Sequence, residues 1–276
     1  MQTDFELIEE ALYPPEYANQ DLWNSIEYQY LKGVEQSIED GADVNFEKDG
    51  FTPLYKAVVN QNIPLVELLL RYKPDLNKGN PLLKAIEKNK NEIARMLLDN
   101  GANANQEILM NFAINNENIE LAKLLVEHGF DVNRGNPLNI AVENNNEELV
   151  QLLLENGANP HIRYPNGYSC LVIAIQNKNE KIVKLLLEHG AKPYGWIDGM
   201  TPLHFAVEVN NLEIVKMLLE NGADANVIGK WNYQEAFTSD PSKYYTILKN
   251  ETPLQMAKAK GNTNIIHILE KHDNHN

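Results

Sequence analysis

Apolar positions along the chain recur in a short helical pattern, and each copy ends in a glycine or a polar turn. The clearest copy has its apolar stripe at Ile214, Val215, Leu218 and Leu219. This spacing of i, i+1, i+4 and i+5 lies on one face of an α-helix. Gly222 follows, and a glycine there ends a helix because it adopts the left-handed conformation without strain. The pattern predicts short helices with one apolar face each.

The start of this copy is typical of a helix N-terminus. Thr201 caps free backbone N–H groups, and Pro202 occupies the first helical position, where no N–H is needed. Leu203 and Ala206 then lie three residues apart on one face, and the small alanine lets a second helix approach closely. A single unit cannot bury its own stripe, so we expect neighbouring units to stack.

The unit recurs along almost the whole chain. Spacings between the alanines that mark it are 28, 28, 28, 33, 32 and 51 residues. Sixteen residues after each of the first six alanines comes a glycine or, once, Lys73. Because this offset is constant, all the variation in length lies in the connections between units. The marking alanines are Ala57, Ala85, Ala113, Ala141, Ala174, Ala206 and Ala257.

These motifs resemble the ankyrin-repeat family, whose signature has the form T-P-L-H-x-A followed by L-L-L-x-x-G-A-D-x-N. Residues 201–206 match the first part, and residues 41–45 and 222–226 match G-A-D-x-N. The resemblance implies an all-α repeat solenoid of about eight stacked helix-turn-helix units with β-hairpin fingers. We expect one repeat domain over 1–276, with an acidic N-terminal cap over 1–19, repeats over about 20–49, 50–77, 78–105, 106–133, 134–164, 165–197, 198–226 and 250–273, and an aromatic-rich insertion over 227–249.

Three consecutive connections are shorter than the family's usual repeat of about 33 residues allows. They span 74–79, 102–107 and 130–135, and each lies within one of the three spacings of 28 residues. We expect these three fingers to be shortened, with the tip missing or reduced to a tight turn. Either this exposes a shallower face for a partner, or it is a neutral variation.

The last connection is longer instead and is rich in aromatic residues. It holds five of the 22 aromatic residues of the chain, and insertions in repeat arrays often lie on the binding face. Three alternatives remain: the rings contact a partner, pack against the final repeat, or belong to a disordered loop. The resemblance implies that finger tips bind partners. Our candidate partner-binding residues are Tyr164, Tyr168, Tyr194, Trp196, Trp231, Tyr233, Phe237, Tyr244 and Tyr245.

Candidate chemistry is sparse, and we expect no enzyme, no metal and no cofactor. Cys170 stands at the first turn of a helix, where a thiol pKa can fall, but no histidine or asparagine constellation accompanies it. His128 and His189 occupy equivalent positions before a cap glycine, which indicates a structural role at a helix C-terminus. No phosphate-binding glycine loop is present in the sequence.

Charge narrows the choice of partner. The formal net charge is −15, so nucleic acid and anionic membrane are not expected as partners, and a protein with a basic surface is favoured. Residues 105–160 carry nine acidic against two basic residues, which forms either a solvated face or a binding surface. The first 31 residues contain no Lys or Arg, and this argues against a secretory signal. We expect a cytoplasmic monomer; export by a route that reads no such signal stays open.

The sequence therefore predicts a non-enzymatic module that binds a partner protein through its fingers and concave face. The alternative is a stoichiometric inhibitor or immunity-type protein that neutralises a cognate, basic enzyme or toxin. The first follows from the family, and the second fits a chain that consists almost entirely of repeats.

Overall fold

Short helices in pairs account for most of the molecule. The computed structural model describes residues 15–164, 167–195, 197, 199–237 and 240–273, with 231–237 and 240–249 described by their backbone alone. Within these ranges there are sixteen helices, forming eight pairs. The first four pairs are α1 (Pro15–Glu27), α2 (Leu31–Glu39), α3 (Pro53–Val59), α4 (Ile63–Arg71), α5 (Pro81–Glu87), α6 (Asn91–Asp99), α7 (Glu107–Asn115) and α8 (Ile119–Glu127). The others are α9 (Pro137–Glu143), α10 (Glu147–Glu155), α11 (Cys170–Gln176), α12 (Glu180–Glu188), α13 (Pro202–Glu208), α14 (Leu212–Glu220), α15 (Pro253–Lys260) and α16 (Thr263–Asp273).

The two helices of a pair are joined by a turn built from polar residues. In the 144–146 turn, Asn145 has a φ of 57°, and the Asn146 Oδ1 accepts a hydrogen bond of 3.0 Å from the Leu149 N–H. Asparagine tolerates this left-handed conformation and is a favoured N-cap. Asparagines cap other second helices in the same way at Asn62, Asn118, Asn179 and Asn211.

The first compact unit of the chain ends at Phe130 and contains α1 to α8. Each pair packs within itself, and first helices contact the first helices of the next pair, as α3 does with α5. Ala57, Leu65 and Leu69 are fully buried there, which confirms the small residue and the leucine stripe as the core. Residues 15–19 form the start of α1, and the rest of the predicted N-terminal cap lies outside the described residues.

The second compact unit begins at Asp131 and contains α9 to α16 together with two strands. Between α14 and α15 the chain forms an antiparallel hairpin of β1 (Gly229–Phe237) and β2 (Asp240–Glu251). The pairing runs from Gly229 with Glu251 to Ala236 with Tyr244, and the register shifts after Ala236. The sequence analysis left the conformation of this insertion undecided, and the structure shows that its backbone forms two paired strands.

The connections between repeats differ in length as predicted. Long fingers contain an isolated antiparallel bridge, such as Arg163 with Ser169 and Ile197 with Met200. In the described residues of the shortened connections there is no such bridge, and only tight turns are present, in which the Asn80 N–H donates to the Asn77 carbonyl and the Arg134 N–H to the Asp131 carbonyl. The structure confirms the prediction of an all-α repeat solenoid with three shortened fingers. None of the helices in the described ranges combines the length and apolar character needed to cross a bilayer.

Candidate functional site

A ladder of polar side chains connects successive fingers. In the D-x-N motif, the first residue accepts a hydrogen bond from the N–H of the third, as Asp43 does from Asn45 at 2.8 Å. The third residue then accepts from the backbone of the next finger: the Asn45 Oδ1 binds the Asp75 N–H at 2.7 Å. In the second unit the Asn133 Oδ1 binds the Asn159 N–H at 2.8 Å. The motif thus holds neighbouring fingers together.

This ladder is interrupted after Asn159. His161 occupies the position of the usual asparagine, and in the next finger Lys192 and Tyr194 replace the aspartate and asparagine of the motif. The Asn159 Oδ1 still accepts from the His161 N–H at 2.9 Å, but no hydrogen bond joins His161 to Lys192. Without this connection, a cleft of about 200 Å³ remains between residues 158–169 and 191–202. We call it the finger cleft.

The finger cleft combines an apolar floor with a polar rim. Leu171 and Ile197 lie at its floor and are almost completely buried. His161, Arg163 and Lys192 are exposed at its rim, together with Tyr194. The cleft is small and mainly polar, and its convergent polar groups beside a few apolar atoms make it a candidate for recognition of a short polar segment.

Arg163 is fixed at the junction of the two fingers. Its Nη1 donates a hydrogen bond of 2.8 Å to the Gly167 carbonyl, across its own finger. A Cβ added at Gly195 would lie 3.6 Å from the Arg163 Nη2, so the guanidinium lies against the backbone of the other finger. Gly195 has a φ of 114°, a conformation that glycine adopts without strain.

Two of the predicted site residues are engaged within the chain. The Tyr164 hydroxyl donates to the Asn139 carbonyl, and burial raises the pKa of Tyr164. The ring of Tyr168 packs against Phe205, with centroids 5.9 Å apart and planes at 58°. Both tyrosines are half-buried, so each stabilises the finger by its contact within the chain and keeps part of its ring exposed.

Tyr194 is the most exposed of the predicted residues for which the structure describes a side chain, at 59 %. The Lys192 Nζ lies 5.7 Å from its ring centroid, within range of a cation–π contact. Trp196 lies outside the described residues. Trp231, Tyr233, Phe237, Tyr244 and Tyr245 are placed by the backbone of the hairpin alone.

The hairpin is joined to the same edge of the second unit. The Lys230 N–H donates to the Gly199 carbonyl at 2.7 Å, which connects the start of β1 to the finger of residues 191–202. At the end of β2, the Glu251 carbonyl accepts from the Nε2 of His204 at 3.0 Å. The base of the hairpin is therefore attached to the finger of residues 191–202 and to α13, and we call fingers 158–169 and 191–202 together with the hairpin the finger edge.

Cys170, the candidate nucleophile of the sequence, has the environment of a structural residue. The thiol is buried, its Sγ lies 3.0 Å from the Asn139 Oδ1, and burial raises its pKa to about 12. A thiol in this state is a poor nucleophile at neutral pH. In the described part of the chain, no group of three or more histidine, cysteine or acidic residues is arranged to hold a metal ion.

The sequence reasoning missed Arg163, His161 and Lys192 as parts of the site. It ranked fingers by their aromatic content and weighed charge over long stretches. The sequence signal for this site is that two copies lack the asparagine that ends the D-x-N motif: residues 159–161 are Asn-Pro-His and residues 192–194 are Lys-Pro-Tyr. A repeat that lacks the residues which connect the fingers indicates a position where function, and not stability, determines the residue type.

The comparison with known families agrees with this architecture. The family described as ankyrin repeats (three copies) matches residues 22–108, 82–164 and 138–228. The chain belongs to the ankyrin-repeat family, and domains of this class mediate protein–protein interaction. No curated protein that was compared with the chain matches it.

Proposed function

We propose that this protein is a non-enzymatic binding module whose finger edge contacts a partner protein. The observation that carries the proposal is the interruption of the finger ladder, which leaves a cleft with an apolar floor beside the exposed Tyr194. Tyrosine and tryptophan dominate binding energy at protein interfaces because they bury a large area with few torsions to restrict.

The hairpin extends this surface. Its register places Trp231, Tyr233 and Tyr245 at positions of one parity, and Tyr244 at the other. Positions of one parity lie on the same face of a two-stranded ribbon. Tyr194 and Trp196, together with the hairpin positions 231, 233 and 245, are the proposed contact residues. A cytoplasmic location and a monomeric state are further parts of the proposal.

The test is a parallel capture from host lysate with three baits: wild type, Y194A/W196A/W231A and Y28A/I108A. Tyr28 and Ile108 are 83 % and 55 % exposed in the first unit, so the second variant removes exposed apolar side chains outside the finger edge. A finger-edge partner is retained by wild type and control and lost with the triple variant. Its affinity should fall at least about tenfold on the triple substitution, since each buried aromatic anchor is worth more than 1 kcal/mol.

Circular dichroism of all three baits checks that the fold is intact. Equal retention on all baits would refute the assignment of the finger edge. A captured enzyme whose activity falls to zero at one equivalent would identify the protein as a stoichiometric inhibitor, whereas capture of several proteins without loss of activity would identify a scaffold.

A further inference from the structure

The segment that contains the finger cleft has a small excess of positive charge, although the chain as a whole is acidic, and two of its cations, Arg163 and Lys192, line the cleft. Residues 158–202 contain five Lys and Arg against three Asp and Glu, whereas the rest of the chain contains 19 against 36. Among the five, Lys181 is paired with Glu147 at 3.1 Å and Lys184 with Glu188 at 3.8 Å. These two cations are therefore already neutralised along α10 and α12.

Arg163 and Lys192 differ from those lysines. Within the described residues, no carboxylate oxygen lies within 4.0 Å of the Arg163 guanidinium or of the Lys192 Nζ. Arg163 uses one N–H for the Gly167 carbonyl, and the structure describes no other hydrogen bond from its guanidinium. A planar guanidinium with donors in reserve matches a carboxylate, which it binds through two parallel hydrogen bonds.

The apolar floor adds a second requirement. Leu171 and Ile197 are almost fully buried beneath the opening, and a volume of about 200 Å³ admits a large apolar side chain such as leucine. Burial of such a side chain supplies affinity that a surface ion pair alone does not. The cleft thus suits a segment in which an apolar residue is flanked by acidic ones.

We infer that the finger cleft binds an acidic segment of the partner protein, with an apolar side chain on the floor and carboxylates on Arg163 and Lys192. This inference rests on the proposed function, because it names the kind of partner segment that the finger edge receives. For this surface, the inferred partner segment is acidic, whereas the net charge of the chain favours a basic partner.

The acidity of the rest of the chain is compatible with an acidic ligand at this place. Charges separated by more than about 8 Å are largely screened at physiological ionic strength, whereas a direct ion pair in a cleft is screened much less. A nucleic acid has a far denser and longer array of negative charge, which the 36 acidic residues elsewhere repel. A short acidic peptide presents only the few charges that the cleft can pair.

The test uses fluorescein-labelled peptides with one central leucine, flanked by glutamates, by glutamines or by lysines. Fluorescence anisotropy is measured with wild type, R163E/K192E, K192E and K32E/K88E. Lys32 and Lys88 are exposed in the first unit, so K32E/K88E changes the net charge as much as R163E/K192E does and leaves the cleft intact. K192E keeps the bond from Arg163 to Gly167 and covers the case in which R163E disturbs the finger.

Wild type and K32E/K88E should bind the glutamate peptide with affinities within about twofold of each other, and R163E/K192E at least about tenfold more weakly. K192E should fall between them. The glutamine peptide should bind wild type at least about tenfold more weakly than the glutamate peptide.

Equal weakening by R163E/K192E and K32E/K88E would overturn the inference, because net charge would then explain the effect. Equal or tighter binding of a single-stranded oligonucleotide would also overturn it. If the triple aromatic variant loses its captured partner while R163E/K192E retains it, the proposed function stands and the acidic segment does not.

Discussion

His204 is the residue at which a helix start and the hairpin meet. The Thr201 N–H can only donate, so the Nδ1 of His204, 3.2 Å away, accepts. The Glu251 carbonyl can only accept, so the Nε2 at 3.0 Å carries the proton. Both bonds need the neutral imidazole, and burial lowers the pKa of His204 below its ordinary value of 6.5.

This arrangement predicts a loss of stability in mild acid. As the pH falls below 6.5, the unfolded chain binds a proton at position 204 before the folded chain does, so unfolding becomes more favourable. The contribution is complete above pH 6.5 and decreases by up to about 1.4 kcal/mol per pH unit below it. Urea unfolding between pH 7.5 and pH 5.5 measures the slope.

The chain itself suggests the control variant. At the last repeat, Gln255 closes the equivalent capping box and accepts from the Thr252 N–H at 2.9 Å. H204Q should therefore keep the cap of α13 and show a smaller decrease over the same pH range. Identical slopes for wild type and H204Q would assign the acid sensitivity to other groups.

Cys170 gives a second prediction at the residue scale. Its thiol is fully buried and has a pKa of about 12, so little thiolate forms and none is accessible. Ellman's reagent at pH 8 should leave the native protein unmodified and titrate one thiol per chain in guanidinium chloride, because the chain contains one cysteine. Native labelling at the unfolded rate would contradict the buried position.

At the scale of elements, the interrupted ladder relates stability to binding. H161N/K192D replaces the departures from D-x-N with the residues found in other copies, which restores an acceptor for the backbone of the next finger. We expect a gain of about 0.5–1.5 kcal/mol, the usual net value of one hydrogen bond. Urea unfolding measures it, with K192Q as the variant that removes the charge without adding the acceptor.

The same variant should lose the glutamate peptide, because a connected pair of fingers leaves less room and Lys192 is gone. A stabilised variant that still binds as wild type does would show that the cleft does not depend on the missing ladder. A variant without added stability would show that the fingers cannot close.

The elements also show what the sequence could predict. Thr-Pro starts, asparagine turns and glycine stops are local signals, so the helices and the three shortened fingers followed from them. The strands of the insertion did not, because residues 229–251 lack a clear alternation of apolar and polar positions. The finger cleft could not be derived either: it depends on which finger residues lie side by side, and on the contact of Arg163 with Gly195.

At the scale of the whole molecule, an excess of negative charge acts against the folded state. A formal charge of −15 on compact units produces repulsion that is weaker in the expanded unfolded chain. Several second helices add to this, because each ends in a glutamate where the helix dipole favours a cation. Examples are Glu127 in α8 and Glu155 in α10. The net charge favours solubility at a cost in stability.

Salt should therefore stabilise the protein, and the position of a glutamate within its helix should determine the effect of its removal. Raising NaCl from about 20 to about 300 mM shortens the screening length severalfold, so the melting temperature should rise. Glu155 lies in the last turn of α10 and Glu107 in the first turn of α7, and both are exposed. E155Q and E107Q change the net charge equally, so each should reduce the salt dependence slightly.

Only E155Q should raise the melting temperature at low salt, by about 1–3 °C, because it removes an unfavourable interaction with the helix dipole, whereas E107Q removes a favourable one. Equal shifts for the two variants in differential scanning calorimetry would mean that net charge alone sets the stability.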